Sequence, residues 1–170
     1  MASPQLQVLC ASAPLRAPKL LESLALPDLA AMARFGASIA ARLRPGDVVA
    51  LTGDLGAGKT TLARAILAAL GHDGEVPSPS FAILEPYPSP PLRLPVVHAD
   101  FYRLNDPAEL AELGLDEWRE DGVLLAEWPE QAGGFGDEPG CLGIALEIVG
   151  NGRAAIVQSG RDWLERGAWS

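Results

Sequence analysis

Gly53-Asp54-Leu55-Gly56-Ala57-Gly58-Lys59-Thr60 has the spacing G-x-x-x-x-G-K-[ST] of a phosphate-binding loop. Glycines let such a loop fold round an anion with its backbone N–H groups turned inward. A helix beginning at the end of the loop adds the partial positive charge of its N-terminus. Lys59 can then reach β- and γ-phosphates, and the Thr60 hydroxyl can complete the shell of a Mg²⁺ ion. Gly53, Asp54, Gly56, Ala57, Gly58, Lys59, Thr60 and Thr61 are therefore the candidate nucleotide contacts. A glycine-rich turn can match this pattern by chance, but the flanks here are the required ones. Asp47-Val48-Val49-Ala50-Leu51-Thr52 reads as a buried strand before the loop, bounded by Pro45-Gly46. Thr61 to Leu70 reads as a helix, with Leu62, Ala65, Ile66, Ala69 and Leu70 at helical spacing and Gly71 as a stop.

Phosphoryl chemistry on such a loop needs a further acid near the metal and a group that orients the nucleophile. Glu127 ends the apolar run Val123-Leu124-Leu125-Ala126, where the carboxyl end of a strand would meet a ligand in an open α/β sheet. It reads as a metal ligand with Thr60, against the plainer reading of a solvated acid at a strand end. Asp100 ends Val96-Val97-His98-Ala99 and is the other acid; with Lys59 it is the candidate catalytic pair. On a strand His98 and Asp100 share one face, which suits nucleophile positioning or an outer metal shell. A lone histidine in a strand is more often structural. Ser78 and Ser80 flank Pro79 and are either phosphate-sensing hydroxyls or ordinary turn residues. Arg103 could meet phosphate or pair with nearby acids. No N-K-x-D signature for guanine occurs, so nothing in the chain favours GTP.

Other elements must carry these residues. Pro27-Asp28 reads as a helix start, and Leu29 to Leu43 places Met32, Phe35, Ile39 and Leu43 on one face. Seven prolines between Pro77 and Pro95 leave room for a strand over Phe81-Leu84 and otherwise demand a stiff surface loop. Strands are expected over Val96-Phe101 and Gly122-Trp128, with a short acidic helix from Asp106-Pro107 to Leu113, stopped at Gly114. Gly133 to Gly140 reads as a loop. Leu142-Val149 and Ala154-Gln158 read as a hairpin, and Asp162-Arg166 as a short amphipathic tail. Strands that follow one another without helices imply a mixed sheet, parallel near the phosphate loop and antiparallel elsewhere. The expected fold is α/β, a P-loop NTPase-like three-layer domain with a partly antiparallel central sheet.

The chain has 170 residues, of which nearly half are apolar, so one domain with a full core is expected over 21–170. Residues 1–20 read as a loosely attached extension that could add one strand; no charged region precedes Leu6-Gln7-Val8-Leu9 to make it a secretory signal. No apolar stretch approaches the length of a membrane span. Cys10 and Cys141 are too few and too far apart for a disulfide framework or a zinc site, and fit a reducing cytoplasm. A formal net charge of −9, from 22 acids against 13 bases, makes a poor stand-alone nucleic-acid binder.

Five segments occur in a fixed order: Gly53-Thr61, Ser78-Phe81, Glu85-Tyr87, His98-Leu104 and Glu127-Glu130. In that order they resemble the TsaE (YjeE) family, small bacterial ATPases needed for threonylcarbamoyladenosine synthesis at position 37 of tRNAs. The resemblance spans about residues 25 to 158. It implies that Gly56 to Thr61 bind ATP phosphates, that Thr60 and Glu127 hold Mg²⁺, and that Asp100 is the acid needed for hydrolysis. It also implies action with the proteins TsaD and TsaB, tRNA being met only through them. Two departures stand out: Ser80 replaces the family's usual threonine, and Asp28 to Arg34 lacks the threonine that often frames the nucleotide. The rival reading is a P-loop small-molecule kinase, against which the acidic stretch between Arg103 and Arg119 offers no arginine-rich lid. A second rival is a nucleotide-dependent binding module whose hydrolysis is incidental.

Overall fold

The computed structural model describes residues 20–80 and 83–169. The elements follow in the order β1 (Leu20–Leu26), α1 (Leu29–Arg42), β2 (Val48–Thr52), α2 (Lys59–Leu70), β3 (Leu84–Tyr87) and β4 (Val96–Asp100). Then come α3 (Pro107–Glu112), α4 (Leu115–Glu120), β5 (Val123–Glu127), a 3₁₀ turn (Pro129–Ala132), β6 (Cys141–Val149), β7 (Gly152–Ser159) and α5 (Arg161–Leu164). Among the described residues seven strands form one sheet in the order β1-β7-β6-β2-β5-β4-β3. The central strands β6, β2, β5 and β4 run parallel, while β1, β7 and β3 join antiparallel. The mixed sheet expected from the sequence is the sheet observed.

Both faces are covered. On one, α1 and α2 bury Met32, Phe35, Ile39, Leu62, Ile66 and Leu67 against Val49, Leu51, Leu125 and Ile144. On the other, Val48, Val97, Leu124 and Ala126 meet Phe101, Leu104 and Leu115, with Leu110, Leu113 and Phe135 partly buried around them. Strands β2, β4 and β5 are buried on both sides, which is why they read as continuous apolar runs. Asp28 caps α1, its Oδ1 accepting the Ala31 N–H at 2.7 Å. Near the C-terminus Arg166 grips Asp47, just ahead of β2, through Nη1–Oδ2 at 2.5 Å and Nη2–Oδ1 at 3.0 Å.

One expected element lies elsewhere, and α4 and β1 are additional. The strand placed over 81–84 lies elsewhere: Phe81 and Ala82 are outside the described residues, Ile83 has φ 63°, and the strand runs from Leu84 to Tyr87. Pro86 is tolerated inside it because β3 is an edge, where a missing N–H breaks no ladder on the open side. The short helix stops before Gly114 as expected, but Gly114, at φ 62°, also opens the unexpected α4, which buries Leu115. No element is expected from the sequence over 21–26, where β1 lies; its mixed sequence has no clean alternation, and its partner β7 makes it a strand. Leu20 begins that strand, and the expected extension before it falls outside the described residues. Cys10 lies there too, and Cys141 is buried in β6. Among the described residues no helix is long and apolar enough to cross a membrane.

Helices α1 and α2 approach so closely that a Cβ on Gly36 would sit 2.5 Å from Ala65 Cβ and 2.9 Å from the Ala65 carbonyl carbon. Gly36→Ala should therefore push α1 off α2 and destabilise the domain by about 1–3 kcal/mol. A lowered urea midpoint with unchanged slope is the expected result, and an unchanged midpoint would mean that the two helices have slack.

Candidate functional site

The parallel strands end side by side, and their carboxyl ends carry the polar residues. Strand β2 runs into Gly53, at φ 140°, where a Cβ would lie 2.5 Å from the Leu146 carbonyl oxygen; no other residue fits. Gly58, at φ 108°, is the N-cap of α2 and turns the chain from loop into helix. Between them Ala57 N–H donates to Asp54 O at 3.0 Å, and Leu55 at the tip is exposed. Lys59, Thr60 and Thr61 form the first turn of α2, so the N–H groups that a helix cannot satisfy internally face the loop.

Lys59 is buried, and its Nζ donates to Gly53 O at 2.6 Å and Asp54 O at 2.9 Å. Its ammonium also lies 4.3 Å above the Trp128 ring. Burial draws its pKa below the ordinary 10.5, against the opposing pull of Glu127, Asp100, Glu130 and Asp54. The Thr60 hydroxyl donates to Glu127, 2.9 Å from Oε1 and 3.1 Å from Oε2. On Glu127 Oε1 a second donor converges, the Nε2–H of wholly buried His98 at 2.8 Å. A carboxylate only accepts, so the proton sits on Nε2; Nδ1 is buried with no partner among the described residues. The histidine is thus a holder of Glu127.

Asp100 stands beside Glu127, its register partner across the parallel β4–β5 pair. Both its oxygens are engaged: Oδ1 accepts the Tyr102 N–H at 3.0 Å and Oδ2 accepts the Ser80 hydroxyl at 3.0 Å. Ser78 Oγ lies 2.7 Å from Ser80 Oγ, so the two serines form a hydroxyl chain leading to Asp100. Arg103 is exposed, on the far side of Tyr102 in the chain.

The fold brings the loop residues, Asp100 and Glu127 to one edge of the sheet. It also brings residues that sequence reasoning left without a role. Trp128, in the left-handed region at φ 54°, packs its ring against Lys59 and against Tyr102, with ring centroids 4.9 Å apart. Glu130 follows in the 3₁₀ turn; its Oε2 is buried without a partner among the described residues. Both belong to the Glu127-Glu130 motif, which signalled their importance but not their contacts. Arg153 donates to Ala57 O and Gly56 O, and nothing local in the sequence ties the β6–β7 hairpin to the loop.

Among the described residues no group of three or more His, Cys, Asp or Glu side chains is placed to enclose a metal. A hydroxyl and a carboxylate in contact are a hard-oxygen pair, and they fit an ion such as Mg²⁺, which keeps most of its shell for water and phosphate. Thr60 and Glu127 would hold it.

The chain matches the family model "Threonylcarbamoyl adenosine biosynthesis protein TsaE" over residues 26–154. The tRNA threonylcarbamoyladenosine biosynthesis protein TsaE of Haemophilus influenzae is 40% identical over 116 residues, covering 65% of this chain and 72% of that one. Its namesake in Streptomyces coelicolor is 45% identical over 100 residues, 58% of this chain and 68% of the other. The crystal structure of Bacillus subtilis YdiB superposes with a TM-score of 0.70 at 28% identity, covering 89% of this chain and 93% of that one.

Burial raises the Glu130 carboxyl above its ordinary 4.5, more than its own backbone N–H and Lys59 lower it. The folded protein therefore holds that proton more tightly than the unfolded chain does. Ionising Glu130 costs stability as pH rises through the interval above 4.5. Glu130→Gln should raise the Tm at pH 7.5, the gain shrinking as pH falls toward 4.5. A gain independent of pH, or a loss at pH 7.5, would contradict this.

Proposed function

This chain belongs to the TsaE family, and from that premise we propose that it is the ATP-binding and ATP-hydrolysing component of the tRNA threonylcarbamoyladenosine (position 37) modification machinery. Its role in the biosynthesis of this modified nucleoside follows from its family. The observation that most supports the nucleotide reading is the Thr60–Glu127 contact at the mouth of the loop, with Lys59 and Asp100 on either side.

In this reading the loop N–H groups and the α2 N-terminus take the phosphate oxygens. Lys59 gives up its carbonyl partners, Gly53 and Asp54, for β- and γ-phosphate oxygens, and the phosphate charge offsets its burial. Mg²⁺, when bound at Thr60 and Glu127, supplies neutralisation of phosphate charge. His98 fixes the direction of the Glu127 carboxylate, as an outer partner commonly does for a metal ligand. Asp100, held at both oxygens by Ser80 and the Tyr102 N–H, has lone pairs left to accept from an attacking water. Ser80 keeps the hydroxyl this bond requires, so the exchange from threonine leaves the contact intact.

We place the protein in the cytoplasm with TsaD and TsaB as its partners. An acidic chain is suited to that division, in which the partners hold the tRNA and this chain supplies nucleotide turnover.

Three variants test the assignment. Lys59→Ala should weaken ATP binding by about tenfold to a hundredfold, the worth of a hydrogen bond to a charged group. Asp100→Asn should bind ATP nearly as wild type yet turn it over about 10²-fold more slowly or worse. Glu127→Gln keeps the shape and an acceptor for His98, and should raise the half-saturating Mg²⁺ concentration. An unchanged magnesium titration would remove Glu127 from the metal shell, and unimpaired turnover in the Asp100 variant would remove Asp100 from the chemistry.

A further inference from the structure

A phosphate loop works only while its N–H groups stay turned inward, and that fixes its carbonyls outward. In this chain the outward side is not left to solvent. Arg153, second residue of β7, donates from Nε to Ala57 O at 2.9 Å and from Nη2 to Gly56 O at 3.0 Å. Its Nη1 donates to Gly152 O at 2.9 Å, in its own turn. The three hydrogen bonds go to main-chain carbonyls, so the guanidinium serves backbone shape. Its position is itself well held. Arg153 pairs with Ile148 across the hairpin and with Leu26 of β1. Beside it Gly152 is pressed on Pro27, where a Cβ would lie 2.8 Å from Pro27 Cα.

We propose that Arg153 is a positioning residue that clamps the phosphate loop in its anion-binding shape; this rests on the nucleotide reading above. A planar fork can span two successive carbonyls, whereas an ammonium is a point donor. Bonding the Ala57 carbonyl fixes and polarises the peptide plane whose N–H belongs to Gly58. Bonding the Gly56 carbonyl fixes the plane whose Ala57 N–H closes the loop turn onto Asp54 O. The guanidinium adds a positive charge behind the loop, with Nε 3.9 Å from where a Cβ of Gly58 would be. Because phosphate is bound in the ground state and the transition state alike, losing the clamp should raise KM and leave kcat nearly unchanged.

The test compares wild type, Arg153→Gln and Arg153→Lys in the full chain. Binding of ATP with Mg²⁺ is read by calorimetry, and amide hydrogen exchange at Gly56, Ala57 and Gly58 is read without nucleotide. The glutamine variant should bind about tenfold more weakly and exchange these amides faster. The lysine variant, which keeps the charge but not the fork, should fall between. Turnover at saturating ATP should stay within about threefold of wild type. Wild-type affinity and wild-type exchange in both variants would overturn the clamp. If wild type itself fails to bind ATP, the nucleotide reading falls, and the exchange rates still decide whether Arg153 holds the loop.

Discussion

Glu127 accepts two hydrogen bonds at the same end of one strand, from the Thr60 hydroxyl and from the buried imidazole of His98. That carboxylate is where the loop, the helix and the sheet are joined. Thr60 belongs to the first turn of α2, His98 to the middle of β4, and Glu127 to the last position of β5. The contact exists only because β2, β5 and β4 are parallel and in a register that sets Asp100 beside Glu127 and Leu51 on its other flank. A slip of one residue in β5 would turn Glu127 to the opposite face of the sheet. The apolar burial of these three strands is thus what fixes the polar geometry at their ends.

The charges facing Lys59 are mostly acidic. Lys59 is drawn by four acids, Glu127, Asp100, Glu130 and Asp54, and yet burial lowers its pKa. Its ammonium is lodged between two loop carbonyls and the face of Trp128. A triphosphate carries negative charge into a neighbourhood already rich in it. In the proposed reading Mg²⁺, the loop N–H groups and Lys59 together must offset both. That balance gives the metal more to do than hold phosphate, since Glu127 and Asp100 would otherwise repel it.

The loop and its strand and helix were legible from the chain because glycine spacing and apolar periodicity are local signals. Glu127 and Asp100 could be placed for the same reason, each ending a continuous apolar run. The direction of β1 as a strand was not legible, because its pairing with β7 is set by residues 127 to 139 positions away. Nor was α4, since a glycine after a short helix stops it or redirects it with equal ease, and burial of Leu115 decides. His98 was ambiguous until its Nε2 was seen on Glu127. Arg153 was invisible: its partners are main-chain atoms nearly a hundred residues earlier, and a main-chain carbonyl leaves no trace in a sequence.

The central claim is a single magnesium-dependent ATP site at the ends of β2, β4 and β5. Isothermal titration of the wild-type chain with ATP, run with Mg²⁺ and again with EDTA, tests it most directly. One site per chain is expected, saturable with Mg²⁺ and markedly weaker without it. No saturable binding, or the same affinity in EDTA, would contradict it.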